Sequence, residues 1–438
     1  MADQALVFAV RRRDPELVGP AAPTPRETKR LSDIDNQNVL RIYVSLAFFY
    51  RGREDAVAPA DPAGVVRRAL GEALVHYYPL AGRLREVEGR KLVVDCTGEG
   101  VLFVEAEADV RLAELQAAGL RPPIPCMDQL LLEVEGSSGT LGTPLMLIQV
   151  TRLLCGGFVL ALRHSHAMCD AIGIAQFINA VAELARGLPA PTVAPAWSRE
   201  LLEVPRAPAS SFPRSESAAA AQAPQPVDAD MVVRSFTFGP SEVAAIKKRL
   251  PPLLRDTATT FEALAAFLWR ARTAALEFPP DDDAPAPLAI LANFRAAAEL
   301  GLPSGYYGNA AVPTLALADA AALRRGSLED AVALVRHAKV VVTADYVRSR
   351  VEELALGGRP PLNKYLLSDL RRAGFHRVDF GWGKPVFGGP VYHVFGISFF
   401  IAFTDQNGED AVVVPVALPR QAMERFAVEM ESLFVSKL

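Results

Sequence analysis

The seven residues from His164 to Asp170 (HSHAMCD) combine the residue types and spacing best suited to chemistry in this sequence. They follow a run of strand-forming residues and precede a helical pattern that begins at Ala171, and side chains at such a junction converge on a cleft. A neutral imidazole can remove a proton from a hydroxyl or an amine at neutral pH, and a nearby carboxylate can fix its position. We therefore predict that His166 is a general base and that Asp170, four residues later, supports it.

Two other interpretations of this segment remain open from the residues alone. His164, His166 and Asp170 could ligate a metal, because two histidines separated by one residue have a spacing that is found among metal ligands. Of the six histidines in the chain, the other four show no ligand spacing among themselves, so further ligands are lacking and we expect no metal. In the second interpretation, both histidines are structural residues at the end of a strand.

A second unusual segment, Asp379 to Gly383 (DFGWG), lies about 210 residues further along the chain. Glycines that alternate with an aromatic residue describe a tight backbone path, which an ordinary helix or central strand does not take. By itself, this pattern predicts a structural turn.

Both strands and helices must position these segments. Runs rich in Val, Ile, Phe and Leu predict strands, among them Gly157–Leu162 and Val391–Phe403. Apolar residues three to four positions apart predict helices, among them Ala171–Arg186 and Ser241–Leu250, the latter with Ser241 as its N-cap. The mixture is typical of an α/β or α+β fold.

Composition and charge limit the class of protein. A chain of 438 residues, 50% hydrophobic and 22% charged, has the profile of a globular protein with two or three domains. The net charge of −4 provides no basic field for nucleic acid or an anionic membrane, so we expect a small-molecule partner.

The four cysteines form no CxxC pair, which disfavours a disulfide framework and a zinc site. Prolines, alanines and serines crowd residues 191–230, which we interpret as a crossover linker between domains 1–190 and 231–438.

The last three residues, Ser436, Lys437 and Leu438, match the tripeptide that the peroxisomal import receptor binds. We therefore predict a peroxisomal location, with the cytosol as the alternative.

Together, the two motifs resemble the HxxxD and DFGWG signatures of the plant BAHD acyltransferase family. Leu370 stands where hydroxycinnamoyl transferases of that family often carry Trp, which disfavours a shikimate or quinate acceptor. Further stretches are similar to the family at corresponding places: Leu31–Asp35, Tyr78–Leu84, Phe261–Arg272, Asn293–Arg295, Gly305–Asn309 and Pro415–Phe426. Three others resemble its benzyl alcohol O-benzoyltransferase branch: Phe8–Arg12, Pro15–Val18 and Ser368–Phe375.

The resemblance implies a two-domain α/β fold of the chloramphenicol acetyltransferase-like kind, with mixed sheets and a solvent channel between the domains. Part of 365–395 would pack with the N-terminal domain. His166 would lie in the channel and take a proton from the acceptor, which then attacks the thioester of acyl-CoA directly. Acyl-CoA is thus a co-substrate, with no bound cofactor, and we expect a monomer.

The resemblance also implies roles for further residues. Asp170 would pair with Arg295, and the DFGWG segment would brace the backbone. The bracing residues would be Asp379, Gly381, Trp382 and Gly383. The candidates for contacts with CoA are Lys247, Lys248, Arg255, Thr257 and Thr260.

The substrates that we predict are benzoyl-CoA and benzyl alcohol, which would give benzyl benzoate. A peroxisomal location agrees with this donor, because β-oxidative shortening of cinnamoyl-CoA would make benzoyl-CoA there. One alternative is benzoyl or hydroxycinnamoyl transfer to an arylalkylamine such as tryptamine or tyramine. A non-catalytic acyl-CoA-binding relative is disfavoured by the intact His166 and Asp170, and a metal hydrolase by the lack of further ligands.

Overall fold

A computed structural model describes the chain outside residues 1–5, 53–60, 134–138, 205–229, 278–283, 356–364, 393–395, 405–407 and 436–438. The chain forms two compact units. The first comprises Met1–Val204, Ala298–Ala310 and Ala373–Tyr392, and the second comprises Pro205–Ala297, Ala311–Arg372 and His393–Leu438.

Groups of strands and groups of helices follow one another along the chain. The strands are β1 (Val10–Arg12), β2 (Glu16–Val18), β3 (Thr28–Arg30), β4 (Tyr43–Tyr50), β5 (Arg83–Val87), β6 (Lys91–Asp95), β7 (Val101–Ala108), β8 (Met146–Leu153), β9 (Phe158–Ser165), β10 (Met231–Phe238), β11 (Leu288–Asn293), β12 (Ala311–Ala316), β13 (Tyr365–Asp369), β14 (Phe387–Pro390), β15 (Ile397–Thr404) and β16 (Asp410–Pro419). The helices are α1 (Pro62–His76), α2 (Leu112–Ala118), α3 (Met127–Leu130), α4 (Ala171–Ala185), α5 (Pro240–Lys248), α6 (Pro252–Thr257), α7 (Thr260–Ala275), α8 (Ala320–Arg325), α9 (Leu328–Val340), α10 (Ala344–Ala355) and α11 (Arg420–Val435).

The first unit is built on a mixed sheet with the strand order β1-β7-β8-β9-β4-β14, and β2 also pairs with β7. The β7–β8 pair is parallel, whereas β9 runs antiparallel to both β8 and β4. A smaller sheet has the order β3-β6-β5. All residues of β9 except Arg163 are buried, which fits a central strand covered on both faces.

The second unit is built on a sheet with the order β10-β16-β15-β13-β11-β12, in which β13 is parallel to β11 and β15. Helix α7 forms the centre of its core. Trp269 of α7 is fully buried, and its Nε1 donates to the backbone oxygen of Ala286 at 2.8 Å. Two units with mixed sheets confirm the predicted two-domain α/β class.

Unit boundaries differ from the predicted ones at residues 298–310, which are expected in the C-terminal domain but belong to the first unit. Residues 373–392, within the range 365–395 of which part is expected to pack with the N-terminal domain, also belong to the first unit. Tertiary contacts cause this return: β14 pairs with β4, and Asn309 is buried against Asp35. Of the predicted linker 191–230, residues 191–204 belong to the first unit and residues 205–229 lie outside the described part.

Two local predictions are wrong. The run Val391–Phe403 is not one strand, because β14 ends at Pro390 in the first unit and β15 begins at Ile397 in the second. Ser241 is not an N-cap, because Pro240 occupies the first position of α5 and Gly239 becomes the cap. The fixed φ of proline suits that first position, which moves the helix start forward.

No helix among the described residues is long and apolar enough to cross a membrane.

Candidate active site

His166 directly follows β9 and lies in the turn that joins β9 to α4. Its backbone N–H donates to the oxygen of Ile42 at 2.9 Å, and Met168 N closes the turn on Ser165 O at 3.1 Å. The residue is half-buried, and the Nδ1 atom of its ring is buried without a hydrogen-bond partner among the described residues. We call residues 165–170 the histidine turn.

Asp170 ends the histidine turn and caps α4. Its Oδ1 accepts from the backbone N–H groups of Ile172 and Gly173 at 3.1 and 2.9 Å, and its Oδ2 accepts from Ala310 N at 3.0 Å. A carboxylate at an N-cap satisfies free N–H groups and favours the start of the helix. The geometry therefore gives Asp170 a structural task at the end of the histidine turn, four residues after His166.

Arg295, the predicted partner of Asp170, follows β11 in the second unit, where its backbone N–H donates to Asn293 Oδ1 at 3.1 Å. The ion pair between Asp170 and Arg295 stays a prediction.

His164 lies on β9 one residue before Ser165, and its ring centroid is 6.2 Å from that of His166. Burial, together with the neighbouring His166, lowers the pKa of His164 to about 3. Both of its ring nitrogens and the Ser165 hydroxyl are buried without a hydrogen-bond partner in the described part. His164 is therefore neutral at any pH at which the protein would work.

Among the described residues, no three His, Cys, Asp or Glu side chains come together as a group that could hold a metal ion.

A buried polar cluster lies behind the histidine turn, formed by Ser32, Asp35, Arg199 and Asn309, each at most 3% exposed. Asp35 Oδ2 accepts from Arg199 Nη1 at 2.6 Å and from the Ser32 hydroxyl at 2.7 Å. Asp35 Oδ1 accepts from the Asn309 side chain at 2.7 Å and from its backbone N–H at 3.1 Å. All four residues belong to the first unit.

Two donors of this cluster reach the histidine turn itself. Asn309 Nδ2 donates to the backbone oxygen of His166 at 2.9 Å, and Arg199 Nη2 donates to that of Met168 at 2.6 Å. The turn is therefore hydrogen bonded at both of these carbonyls to side chains from distant parts of the chain.

Aromatic rings enclose the Arg199 guanidinium. Its central carbon lies 4.6 Å from the ring centroid of Trp197 and 5.3 and 5.5 Å from those of Tyr306 and Tyr307. Burial opposes the positive charge, but the Asp35 carboxylate more than offsets it, and the pKa of Arg199 is raised above its ordinary value. A Cβ on Gly308 would overlap this guanidinium, so only glycine fits there.

Sequence reasoning missed the roles of Asp35, Arg199 and Asn309. Asp35 and Asn309 lie in stretches that resemble the family, but their types and spacing indicated no chemistry. Arg199 lies in the proline-rich segment interpreted as a linker, and no sequence pattern marks it as buried.

The DFGWG segment forms a turn around the Asp379 side chain. Asp379 Oδ1 accepts from the backbone N–H groups of Gly381 and Gly383 at 2.7 and 2.9 Å. Both glycines have positive φ, 103° and 81°, a region that strongly favours glycine. The predicted turn is thus present.

This turn packs on the opposite end of β9 from His166. The Trp382 ring meets Phe158, the first residue of β9, edge-on at 5.2 Å. His166 follows Phe158 by eight positions, which corresponds to about 25 Å along a strand. At the end of α4, Arg186 donates to the backbone oxygen of Asp379.

The candidate CoA residues lie in the second unit. Lys247 and Lys248 end α5, and Thr260 begins α7. Arg255 Nη2 donates to the Leu250 oxygen at 3.2 Å, and the Thr257 hydroxyl donates to Leu253 O at 2.9 Å. Contact of these five residues with CoA stays a prediction.

The two α/β units with mixed sheets have the predicted chloramphenicol acetyltransferase-like fold. The solved structure of vinorine synthase shares the fold, with a TM-score of 0.74 over 97% of this chain and 98% of that chain, at 21% identity. A family model described as the transferase family matches residues 8–433. The chain belongs to this family, the BAHD acyltransferases, and is an acyl-CoA-dependent enzyme.

Curated relatives match almost the whole chain. Benzyl alcohol O-benzoyltransferase of Petunia hybrida is 47% identical over 98% of this chain and 94% of its own length. (Z)-3-Hexen-1-ol acetyltransferase of Arabidopsis thaliana is also 47% identical, over 99% of this chain and 97% of its own length. Relatives with different named substrates are thus equally similar.

Proposed function

We propose that the protein transfers the benzoyl group of benzoyl-CoA to benzyl alcohol, giving benzyl benzoate, with His166 as the general base. The position of His166 carries this proposal. Both backbone polar groups of His166 are hydrogen bonded, and the residue as a whole is only half-buried. A partly accessible imidazole on a fixed backbone is suited to proton transfer.

The reaction needs one base for two steps. His166 takes the hydroxyl proton of the alcohol while the alcohol oxygen attacks the thioester carbonyl. The C–S bond then breaks, and the imidazolium returns the proton to the CoA thiolate. General-base assistance of this kind contributes roughly 10²–10⁴-fold, and orientation of the two substrates supplies the remainder.

The neutral state of His164 supports this mechanism. A second positive charge near His166 would oppose formation of the imidazolium in the tetrahedral intermediate. Because burial lowers the pKa of His164 to about 3, this residue adds no such charge.

The named activities of two relatives support an alcohol acceptor, since one is a benzyl alcohol benzoyltransferase and the other a hexenol acetyltransferase. The hexenol acetyltransferase and the benzoyltransferase are both 47% identical to this chain. Acetyl transfer to an aliphatic alcohol is therefore a second candidate function.

A substrate panel tests the proposal. Benzoyl-CoA, acetyl-CoA and a hydroxycinnamoyl-CoA are each combined with benzyl alcohol, (Z)-3-hexen-1-ol and tryptamine, and products are measured by mass spectrometry. We expect the highest kcat/KM for benzyl benzoate. A higher value for hexenyl acetate would favour the second candidate, and a dominant amide product would contradict an alcohol acceptor.

We also propose that Ser436, Lys437 and Leu438, which lie outside the described residues, direct import into peroxisomes. A fluorescent protein fused ahead of the intact chain should give puncta that coincide with a peroxisomal marker. Deleting the three residues should release it to the cytosol. A diffuse signal from the intact fusion would contradict import. It would also remove the peroxisomal source of benzoyl-CoA as support for this acyl donor.

A further inference from the structure

We propose that Asp35 is a positioning residue for acyl transfer, because it anchors the two side chains that hold the histidine turn. Arg199 and Asn309 each bond to Asp35 at one end and to a backbone oxygen of the turn at the other. This inference rests on the proposed role of His166 as the base.

The carboxylate of Asp35 has no exposure to solvent, and its two oxygens accept five hydrogen bonds. A buried ion pair gives little net stability compared with apolar residues of the same volume. The cluster is therefore poorly explained as a device for stability alone. Its directional bonds instead fix where Arg199 and Asn309 lie.

Those two side chains determine the course of the turn. Asn309 holds the oxygen of His166, and Arg199 holds that of Met168, two residues later. The His166 N–H is held by Ile42. With both backbone groups of His166 bonded, the direction of its side chain from the backbone is fixed. A misplacement of about 1 Å in such a group can cost roughly 100-fold in rate.

The residues of this arrangement are far apart in the sequence, so it forms only when the first unit has folded. Asp35, Arg199 and Asn309 are separated by more than 100 residues each, so no local pattern fixes the turn. The bonds within the turn itself, such as Met168 N to Ser165 O, do not hold the His166 oxygen.

Asn309→Ala is the main test, because it removes the amide that bridges Asp35 and His166 and leaves the Asp35–Arg199 ion pair in place. We expect kcat to fall by about 10–100-fold, while KM for acyl-CoA changes by less than about threefold. Asp35→Asn should act in the same direction. If Asp35→Asn does not fold, Asn309→Ala decides the outcome.

Gln149→Ala is the matched control. Gln149 is a fully buried side-chain amide of the first unit, and it donates to Gln129 O and to the Thr151 hydroxyl at 3.1 and 2.9 Å. These contacts lie away from the histidine turn. The control should lose thermal stability and keep kcat within about twofold. If Asn309→Ala lowers stability and keeps kcat in the same way, the positioning role is overturned.

A double variant separates this inference from the proposed function. If Asn309 acts through His166, adding Asn309→Ala to His166→Ala should cause no further loss of kcat. Additive losses would overturn the positioning role and leave the general base intact. A normal kcat in His166→Ala alone would overturn the general base, and with it the route by which Asp35 acts.

Discussion

Replacing Asp379 by Ala should destabilise the first unit without disabling the chemistry. The substitution removes two hydrogen bonds, from Gly381 N and Gly383 N, to a charged acceptor. Bonds to charged groups contribute about 1.5–3 kcal/mol each, and the lower end applies because Gly383 is exposed. We therefore expect a loss of about 3 kcal/mol. For a domain of about 240 residues, this corresponds to a Tm lower by roughly 6–12 °C.

The effect on the reaction should be smaller, because the turn packs at the Phe158 end of β9, about 25 Å from His166. Differential scanning fluorimetry gives the Tm of each protein. Initial rates of the parent and the variant, both measured at a temperature 20 degrees below the Tm of the variant and divided by the concentration of folded enzyme, give kcat. We expect kcat within about tenfold of the parent. Phe380→Leu, which keeps the Asp379 bonds, serves as a control for packing loss in the same turn. An inactive Asp379→Ala with an unchanged Tm would refute the structural assignment and require a direct role in the reaction.

Three further predictions follow from the site and the core. His166→Ala should lower kcat by about 100-fold or more with little change in KM for acyl-CoA, and a normal kcat in a folded variant would contradict the general base. His164→Leu removes two buried nitrogens without partners, so its Tm should be equal to or above that of the parent, with the same pH–rate profile; a lower Tm would reveal a partner for that ring. In the second unit, burial raises the pKa of Glu262, but bonds from Lys339 and Arg336 lower it from 4.5 to about 2. The carboxylate therefore stabilises the fold above pH 4.5 and loses this effect as the pH falls towards 2. The Tm difference between Glu262→Gln and the parent should shrink over that pH range. Thermal scans at several pH values would measure it.

Patterns within one segment could be predicted well. Helix α4 begins at Ala171 as its periodicity indicates, and the glycines of the DFGWG segment form the predicted turn. The family and the two-domain class also follow from motifs that stay contiguous in the sequence.

Features that depend on distant contacts could not be predicted in this way. Strand β9 continues through Arg163 and His164 because Val44 and Met146 pair with His164 on either side, although these residues have no strand pattern. The Asp35 cluster could not be predicted either, because the sequence around a single charged residue in a loop does not indicate that the residue is buried until its partners are known.

The late return of residues 373–392 to the first unit affects how this protein is made. Strand β4 receives its second neighbour, β14, from residues about 340 positions further along. At about 5–20 residues per second, a ribosome needs roughly 20–70 s to synthesise that interval. Throughout this time, the hydrophobic β4 presents an unpaired edge that other chains could join. Residues 298–310 also emerge late, so the nascent chain holds Asp35 and Arg199 before it holds Asn309. We expect truncations that end before residue 390 to aggregate during synthesis, and chaperones to determine the soluble yield of the complete chain.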